Sequence, residues 1–410
     1  ERSRAFLGAL GLPRSWSRYL AVMDLFQNAV GVASRLALGP FARPAGALMQ
    51  AAAQPACSTV VTWGAASVDG AVRHARNFDF PGIGVWDAAP ALVMCHPERG
   101  QRYAFLSTRG ADAPVVTVWN QAGLVFTTHT RFHRAVRWNG STIVDLIHDL
   151  ARRAETLDDV VAMIDGRKVA STWGIAVSSA HEQRALSIET HADGHAVVAS
   201  RSDHLIVANR YRDPAMQDGE LTAAPGWALH TDRRELRLAG LVAEARAAGG
   251  ADVAALVAML TDRRDPDDLT VERQLGAVVA QPCQVHSVVV EAARNRVTLG
   301  AAAAPVGEGP WLTLDLDWNG SPGAWELGSI PSAAGVAVSP GPVRPRAPAS
   351  DAVAHALALE ATTHDPQAIA AALTTAVLAA PADPSLRQAL MWTAMQTRQW
   401  SETLYSEKYL

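Results

Sequence analysis

Cysteine is scarce in this chain, and neither sign of charge is in large excess. The 410 residues include three cysteines, an odd number, so at least one lies outside any intramolecular disulfide. Cys95 and Cys283 could pair, and their spacing leaves that question open. The net charge of −4 gives no electrostatic reason to expect a nucleic acid or a membrane surface as partner. The chain starts at Glu1, and an extracytoplasmic location after removal of a signal peptide is slightly favoured over a cytoplasmic one.

Long apolar runs and cofactor motifs are also missing. The stretch Ala21–Leu38 is interrupted by polar residues, so it does not predict a membrane helix; they are Asp24, Gln27, Asn28 and Arg35. The pair His129-x-x-x-His133 follows a predicted strand and does not lie on a helix, so no metal site is predicted. There is no glycine-rich phosphate loop and no dinucleotide fingerprint, so no cofactor is expected.

Hydrophobic periodicity divides the chain into four segments. Residues 1–56 predict a helical leader, in which Arg18–Ala37 carries apolar residues at helical spacing. Residues 57–335 carry two blocks of strands separated by helices, which predicts stacked sheets covered by helices, an α+β layered fold. Residues 336–350 are rich in proline and alanine and predict a linker, and 351–410 predict a small helical extension.

The individual elements follow from alternation, helical spacing and turn residues. Strands are predicted at Cys57–Trp63, Ala71–Phe80, Ala91–Cys95, Tyr103–Ser107, Val115–Trp119, Leu124–Thr128, Trp173–Ser178, Ala185–Thr190, Ala196–Ser200, Leu205–Ala208, Val285–Ala292 and Arg296–Ala301. Helices are predicted at Ser141–Arg153, Leu157–Asp165, Arg233–Ala247, Ala251–Leu260, Asp351–Thr362, Pro366–Ala379 and Pro384–Thr397.

Cys57 stands where the helical leader ends and the first strand begins, directly after Pro55-Ala56. A lone cysteine in a strand is usually a small buried hydrophobe. Its position favours another interpretation, in which the Ala56–Cys57 bond is cut and Cys57 gains a free α-amino group. Such an amine has a pKa of roughly 7.7–8.0, so it can accept the proton of its own thiol. One residue would then supply both the nucleophile and the general base.

Arg76 and Asp79 lie on the second predicted strand and are the candidate partners of Cys57. Two such charges at a strand end are most often a solvated ion pair of little consequence. With Asp69-Gly70 as a two-residue hairpin turn, paired residue numbers sum to 139. Cys57 would then face Gly82, and Arg76 would share its sheet face, whereas Asp79 would pair with Val60 on the other face. For Asp79 to act, the strand must bulge near Phe78–Pro81.

Four motifs in order resemble the acyl-CoA:6-aminopenicillanic acid acyltransferase family of autoproteolytic, N-terminal-nucleophile (Ntn) hydrolases, together with choloylglycine hydrolases and acid ceramidase-like amidases. They are Cys57-Ser-Thr with His74-Ala-Arg-Asn-Phe-Asp79, Trp119-Asn-Gln-Ala-Gly-Leu124, Val207-Ala-Asn-Arg-Tyr211 and His286-Ser-Val-Val-Val290. The resemblance covers about residues 57 to 303. It implies a four-layer αββα sandwich, self-cleavage between Ala56 and Cys57, and a propeptide that stays associated with the mature chain.

The resemblance also implies roles for individual residues. Cys57 would be the nucleophile, Arg76 and Asp79 would position and tune it, and Asn209 and Asn120 would donate to the oxyanion. A further family arginine corresponds to Arg234. Taken singly, Asn120 and Asn209 are equally consistent with turn residues. Two departures from the family pattern flank the site, and they are Gln121 in place of glutamate and Arg210 after Asn209.

Three functions follow as alternatives. The first is hydrolysis of a linear N-acyl amide through a thioester on Cys57, with an acyl pocket lined by apolar residues that include Phe78, Phe80, Ile83, Val85 and Trp86. The second is transfer of the acyl group to an amine or to the thiol of coenzyme A, with an acyl-CoA as a further substrate. The third is an unprocessed, non-catalytic binding protein. The residues that would contact the reacting atoms are the same for the first two, so the sequence does not separate them.

Overall fold

A computed structural model describes most of the chain from Ala56 onward and a small part of the leader. The described residues are 2–9, 11, 13, 15, 24, 25, 27–29, 56–80, 82–200, 202–221 and 225–397. The leader contains helix α1, Arg2–Ala9. Most of the predicted helix Arg18–Ala37 lies outside the described residues.

The first sheet carries the strand that contains Cys57. Its order is β10-β1-β2-β13-β14-β15-β16, and all its neighbours are antiparallel. The strands are β1 Ala56–Gly64, β2 Gly70–Asp79, β10 His204–Val207, β13 Gln284–Glu291, β14 Arg296–Gly300, β15 Gly309–Leu316 and β16 Val336–Arg344. A separate hairpin pairs β11 Arg264–Asp265 with β12 Asp268–Glu272.

The second sheet runs in simple chain order, β3-β4-β5-β6-β7-β8-β9, and is also antiparallel. Its strands are β3 Pro90–Cys95, β4 Tyr103–Thr108, β5 Thr117–Asn120, β6 Leu124–Thr130, β7 Trp173–Ser179, β8 Arg184–His191 and β9 Gly194–Ala199. Apolar residues on the inner faces of both sheets pack in one cluster, which includes Val125 of the second sheet and Val288 of the first. The two sheets therefore form the central sandwich.

Helices cover both outer faces. On the second sheet lie α2 Ile143–Arg153 and α3 Leu157–Asp165, whose caps are the side chains of Thr142 and Thr156. On the first sheet lie α5 Pro225–Ala247 and α6 Val253–Leu260. The short α4 Pro214–Gln217 follows β10, and 3-10 turns occur at Ala292–Arg294, Leu327–Ser329 and Ser332–Ala334. The predicted four-layer αββα sandwich is confirmed.

The hairpin that joins β1 to β2 differs from the prediction. Gly64 pairs with Gly70, so the loop is longer than the two residues expected, and Cys57 pairs with Phe78 and not with Gly82. The register at Cys57 is shifted from the predicted one by an even number of residues. Cys57 and Arg76 therefore still share one face of the sheet. Asp79 pairs with Ala56, the residue before the proposed cleavage point, and not with Val60.

The C-terminal part begins with a strand where a linker was expected. Residues 336–344 form β16, which tolerates Pro340 because it lies at the edge of the first sheet. Helices α7 Ser350–Thr362, α8 Pro366–Ala379 and α9 Pro384–Thr397 follow. They pack in one cluster with Leu275, Cys283 and Ile83. Cys95 lies on β3 of the second sheet, and no disulfide joins it to Cys283.

Candidate active site

Cys57 lies near the start of β1, with its side chain between the two sheets at one end of the sandwich. The thiol is buried, and its apolar neighbours are Phe78, Val116, Val285 and Ala304. Burial raises the pKa of the Cys57 thiol, and the nearby Arg76 guanidinium opposes that rise. A positive charge beside the sulfur therefore compensates part of the cost of forming a buried thiolate.

Arg76 is the side chain that contacts the sulfur. Its Nη2 lies 3.2 Å from Cys57 Sγ and 2.6 Å from the carbonyl oxygen of Thr128. Nη1 donates to the carbonyl of Val116, and the guanidinium lies 4.9 Å from the centre of the Phe78 ring. The carbonyls of Thr128 on β6 and of Val116 just before β5 thus fix the orientation of a cation on the first sheet.

Asn209 and Arg234 hold the backbone of Cys57 from the opposite side. The Cys57 N–H donates to Asn209 Oδ1 at 2.9 Å, and Asn209 Nδ2 donates to the Thr130 carbonyl at 3.1 Å. Arg234, on α5, donates to the Cys57 carbonyl at 2.9 Å and to Asn209 Oδ1 at 2.9 Å. These contacts bring the sequence candidates Asn209 and Arg234 together at Cys57.

Asp79 is a buried carboxylate to which no described group donates a hydrogen bond. Both of its oxygens are buried without a partner among the described residues, and the side chain is fully inaccessible to solvent. Burial raises the pKa of Asp79 to about 7, against the opposing influence of Arg234 and Arg76. The β1–β2 pairing brings it opposite Ala56 without the bulge in β1–β2 that the predicted register required.

Asn120 does not contact Cys57. Its Nδ2 donates to the carbonyls of Ala151 and Ala154 at 3.0 and 2.8 Å, and its Oδ1 accepts from the Leu124 N–H at 3.0 Å. These carbonyls belong to the end of α2, where helix carbonyls lack intrahelical partners. The expected role of Asn120 as an oxyanion donor is therefore corrected to that of a helix-capping residue.

Backbone carbonyls on and next to the second sheet complete the site, and the sequence did not predict them. The carbonyls of Val116, Thr128 and Thr130 bind Arg76 and Asn209. Being backbone atoms, they give no signal in residue identities. Buried side-chain hydrogen bonds also connect the two sheets. Thr59 Oγ1 lies 2.9 Å from Thr127 Oγ1 and 3.0 Å from His129 Nε2. Threonine and histidine at alternate positions of β6 were the sequence pattern from which this hydrogen-bond network could have been predicted.

Aromatic residues on either side of Asp79 in the sequence form a wall next to the thiol. Phe78 stacks on Phe80 with ring centres 5.3 Å apart, and Trp86 meets Phe78 edge-on at 5.5 Å. Ile83 joins the same cluster, whereas Val85 is 64% exposed. The residues predicted to line an acyl pocket therefore lie in one cluster, with the exception of Val85.

Among the described residues no three His, Cys, Asp or Glu side chains are placed to hold a metal. None of the helices in the described ranges has the length and apolar character that a membrane span requires.

Neither protein-family models nor curated protein sequences match this chain. Solved structures do resemble it. An N-acylethanolamine-hydrolyzing acid amidase ortholog from Caenorhabditis elegans has a TM-score of 0.41 at 14% identity, with 58% of this chain and 93% of that chain covered. A variant of the conjugated bile acid hydrolase from Clostridium perfringens has a TM-score of 0.41 at 8% identity, with 71% and 98% covered.

Penicillin V acylase from Agrobacterium tumefaciens has a TM-score of 0.34 at 13% identity, with 60% of this chain and 83% of that chain covered. At these TM-scores the matches carry no functional inference. The function of this chain is inferred from the contacts of Cys57.

Proposed function

We propose that this protein is an autoproteolytic amide hydrolase of the N-terminal-nucleophile type, with Cys57 as nucleophile. The observation that carries the proposal is the surrounding of Cys57. Its sulfur lies 3.2 Å from a guanidinium, and its own nitrogen lies 2.9 Å from an amide oxygen. A buried carboxylate without a described donor stands opposite the preceding residue. A merely structural buried cysteine needs none of these groups.

The first reaction is cleavage of the chain. The Cys57 thiol adds to the carbonyl carbon of Ala56, and the bond from that carbon to the Cys57 nitrogen breaks as the sulfur bond forms. The nitrogen takes up the proton and becomes an amine. Water then hydrolyses the Ala56 thioester, which leaves a carboxyl group on Ala56 and a thiol on Cys57. Asp79 would accept a hydrogen bond from the new α-amino group and so gain the donor that it lacks.

The second reaction is hydrolysis of an N-acyl amide. The α-amino group of Cys57 takes the proton of the thiol, and the thiolate attacks the amide carbon of the substrate. The amide nitrogen leaves with the proton from the ammonium group, and water hydrolyses the acyl thioester to the free acid. Arg76 would favour the thiolate, and Asn209 Nδ2, which now donates to the Thr130 carbonyl, would turn to donate to the oxyanion.

An assay with an N-acyl p-nitroanilide tests this proposal. We expect wild type to release p-nitroaniline and the free acid, and Cys57→Ala to lose that activity entirely. Cys95→Ala is the matched control, because it removes a thiol on β3 of the other sheet, and it should retain the wild-type rate. Activity that survives in Cys57→Ala would refute the proposal. Addition of an amine acceptor separates the two enzymatic alternatives, because exclusive release of free acid excludes acyl transfer.

A further inference from the structure

His286 lies in the wall of the same site but has no part in the chemistry described above. On the first sheet Phe78 pairs with Cys57 on one side and with His286 on the other. Paired residues of an antiparallel sheet share a face, so the three side chains form a row on the inner face, with Phe78 in the middle. His286 is buried. The row leads from the nucleophile to the imidazole across one aromatic ring.

The surroundings of His286 are aromatic. Its ring centre lies 6.3 Å from that of Phe78 and 6.1 Å from that of Trp86. Its Nε2 is buried and has no hydrogen-bond partner among the described residues. Burial, with a smaller contribution from Arg76, lowers the pKa of His286 to about 4, so the ring is neutral at pH 7. A buried polar atom without a partner is costly, and in a substrate pocket the substrate can supply the partner.

We propose that Nε2 of His286 determines specificity by forming a hydrogen bond with an oxygen atom on the acyl group of the substrate. The inference rests on the proposed hydrolysis through Cys57, and it takes the acyl chain to run from Cys57 along the row towards His286. Adjacent strands are about 4.8 Å apart, so the backbones of Cys57 and His286 are separated by roughly 10 Å. After allowance for the thioester bond and the hydrogen bond, about four to six carbons span that gap. The substrate class is therefore an amide of an oxygen-bearing medium-chain acid, with a hydroxyl or a ketone near the far end.

Binding of product acids tests this inference without any turnover. Hexanoate, 6-hydroxyhexanoate and 5-oxohexanoate are titrated calorimetrically into wild type, His286→Phe, His286→Gln and Phe80→Leu. We expect wild type to bind at least one oxygenated acid about tenfold more tightly than hexanoate, the effect of one hydrogen bond to a buried group. His286→Phe should remove that ratio and His286→Gln should keep part of it. Phe80→Leu, which alters the same aromatic wall without removing the nitrogen, should keep it entirely.

Two further measurements complete the test. In wild type, the Nε2 resonance of His286 should shift when the preferred oxygenated acid binds and should stay in place with hexanoate, a readout that needs no variant to fold. The matching p-nitroanilides should show the same preference in kcat/KM. Equal or tighter binding of hexanoate, a ratio that survives His286→Phe, or no binding of any acid would overturn the inference. A binding preference without turnover of any anilide would refute the proposed hydrolysis and leave the ligand site standing.

Discussion

At the scale of single residues, Asp79 is a group whose energetics the proposed cleavage would change. Before cleavage its carboxylate is buried without a described donor, and its pKa lies near 7 where an ordinary aspartate has 3.8. A carboxyl whose pKa is raised on folding binds more protons in the folded state. Ionisation of Asp79 therefore lowers the free energy of unfolding increasingly as the pH rises from about 4 to about 7. The amine that the proposed cleavage would form is a hydrogen-bond partner for this carboxylate.

Asp79→Asn in the unprocessed Cys57→Ala background should therefore raise the melting temperature at pH 8. The shift corresponds to about 4 kcal/mol or less, and it should vanish near pH 3, where both states hold the proton. Asp69→Asn is the matched control of opposite sign, because the hydrogen bond from Arg73 keeps the pKa of Asp69 well below its usual range. That variant should lose stability at pH 8. A destabilised Asp79→Asn variant at pH 8 would contradict the description of the site.

The two asparagines provide a second test at this scale. Asn209 contacts Cys57, whereas Asn120 caps α2. We expect Asn209→Ala to lower kcat by about a hundredfold or more, the usual effect of removing an oxyanion donor. Asn120→Ala should lower the melting temperature and leave kcat within about threefold, because capping interactions contribute to stability. Kinetics at a temperature where both variants are folded distinguish the roles, and a larger loss of kcat in Asn120→Ala would reverse them.

At the scale of elements, the sequence predicts the shared face of residues in the β1–β2 hairpin but not the length of its loop. The predicted two-residue turn was wrong because tertiary contacts hold a longer loop, with Ser67 bridged to Ala251 and Asp69 bound to Arg294. Local turn propensity does not report such contacts. The shared face of Cys57 and Arg76 was nevertheless predictable, because the strand period fixes parity whatever the loop length. The partner of Asp79 depends on register, so it was not.

The loop after β10, which carries Asn209, is held by a buried ion pair. Glu189 on β8 accepts from the N–H groups of Arg212 and Asp213 at 2.9 and 3.0 Å and pairs with Arg131 at 3.3 Å. Arg131 in turn donates to the carbonyl of Arg210. The loop that orients Asn209 towards Cys57 is thus fixed from the second sheet.

Glu189→Gln should therefore weaken both the fold and the site. Leaving the charge of Arg131 buried without its partner costs about 3–5 kcal/mol of unfolding free energy, and kcat should fall by about tenfold while KM changes little. Glu326→Gln is the control, because its ion pair with Arg109 is largely exposed, and it should change the unfolding free energy by less than about 1 kcal/mol. Denaturant melts and steady-state kinetics give both quantities. A Glu189→Gln variant as stable and active as wild type would show that this ion pair does not hold the loop after β10.

At the scale of the whole molecule, the layers were predictable and some strands were not. Alternation along the strands and helical spacing are local signals, so the C-terminal helices were predicted within a residue of their observed ends. Strands β15 and β16 were missed, since their pairing is non-local and β16 lies in a segment whose proline and glycine content resembles a linker. The prediction that Asn120 lies at the site was wrong for the same reason, because its partners at the end of α2 are remote in sequence.

The leader contacts the sandwich at points that cleavage would leave intact. Asp24 accepts from Trp173 Nε1 at 3.0 Å, and Asn28 donates to the carbonyl of Ala170 at 3.0 Å. We expect the leader to stay bound after cleavage, so both fragments should elute together in size-exclusion chromatography. Asp24→Ala with Asn28→Ala should release the leader, since the buried Trp173 N–H loses its acceptor. Leu25→Ala, at a residue that is 46% exposed, is the control and should not.

The intact mass of the purified protein tests the central claim most directly. For the chain as printed, cleavage before Cys57 predicts fragments of 56 and 354 residues, obtained from the total of 410. Wild type should give those two species, with the larger beginning at Cys57, and Cys57→Ala should give the full-length chain alone. A wild-type protein that remains one full-length species, or a Cys57→Ala variant cut at the same bond, would contradict the account.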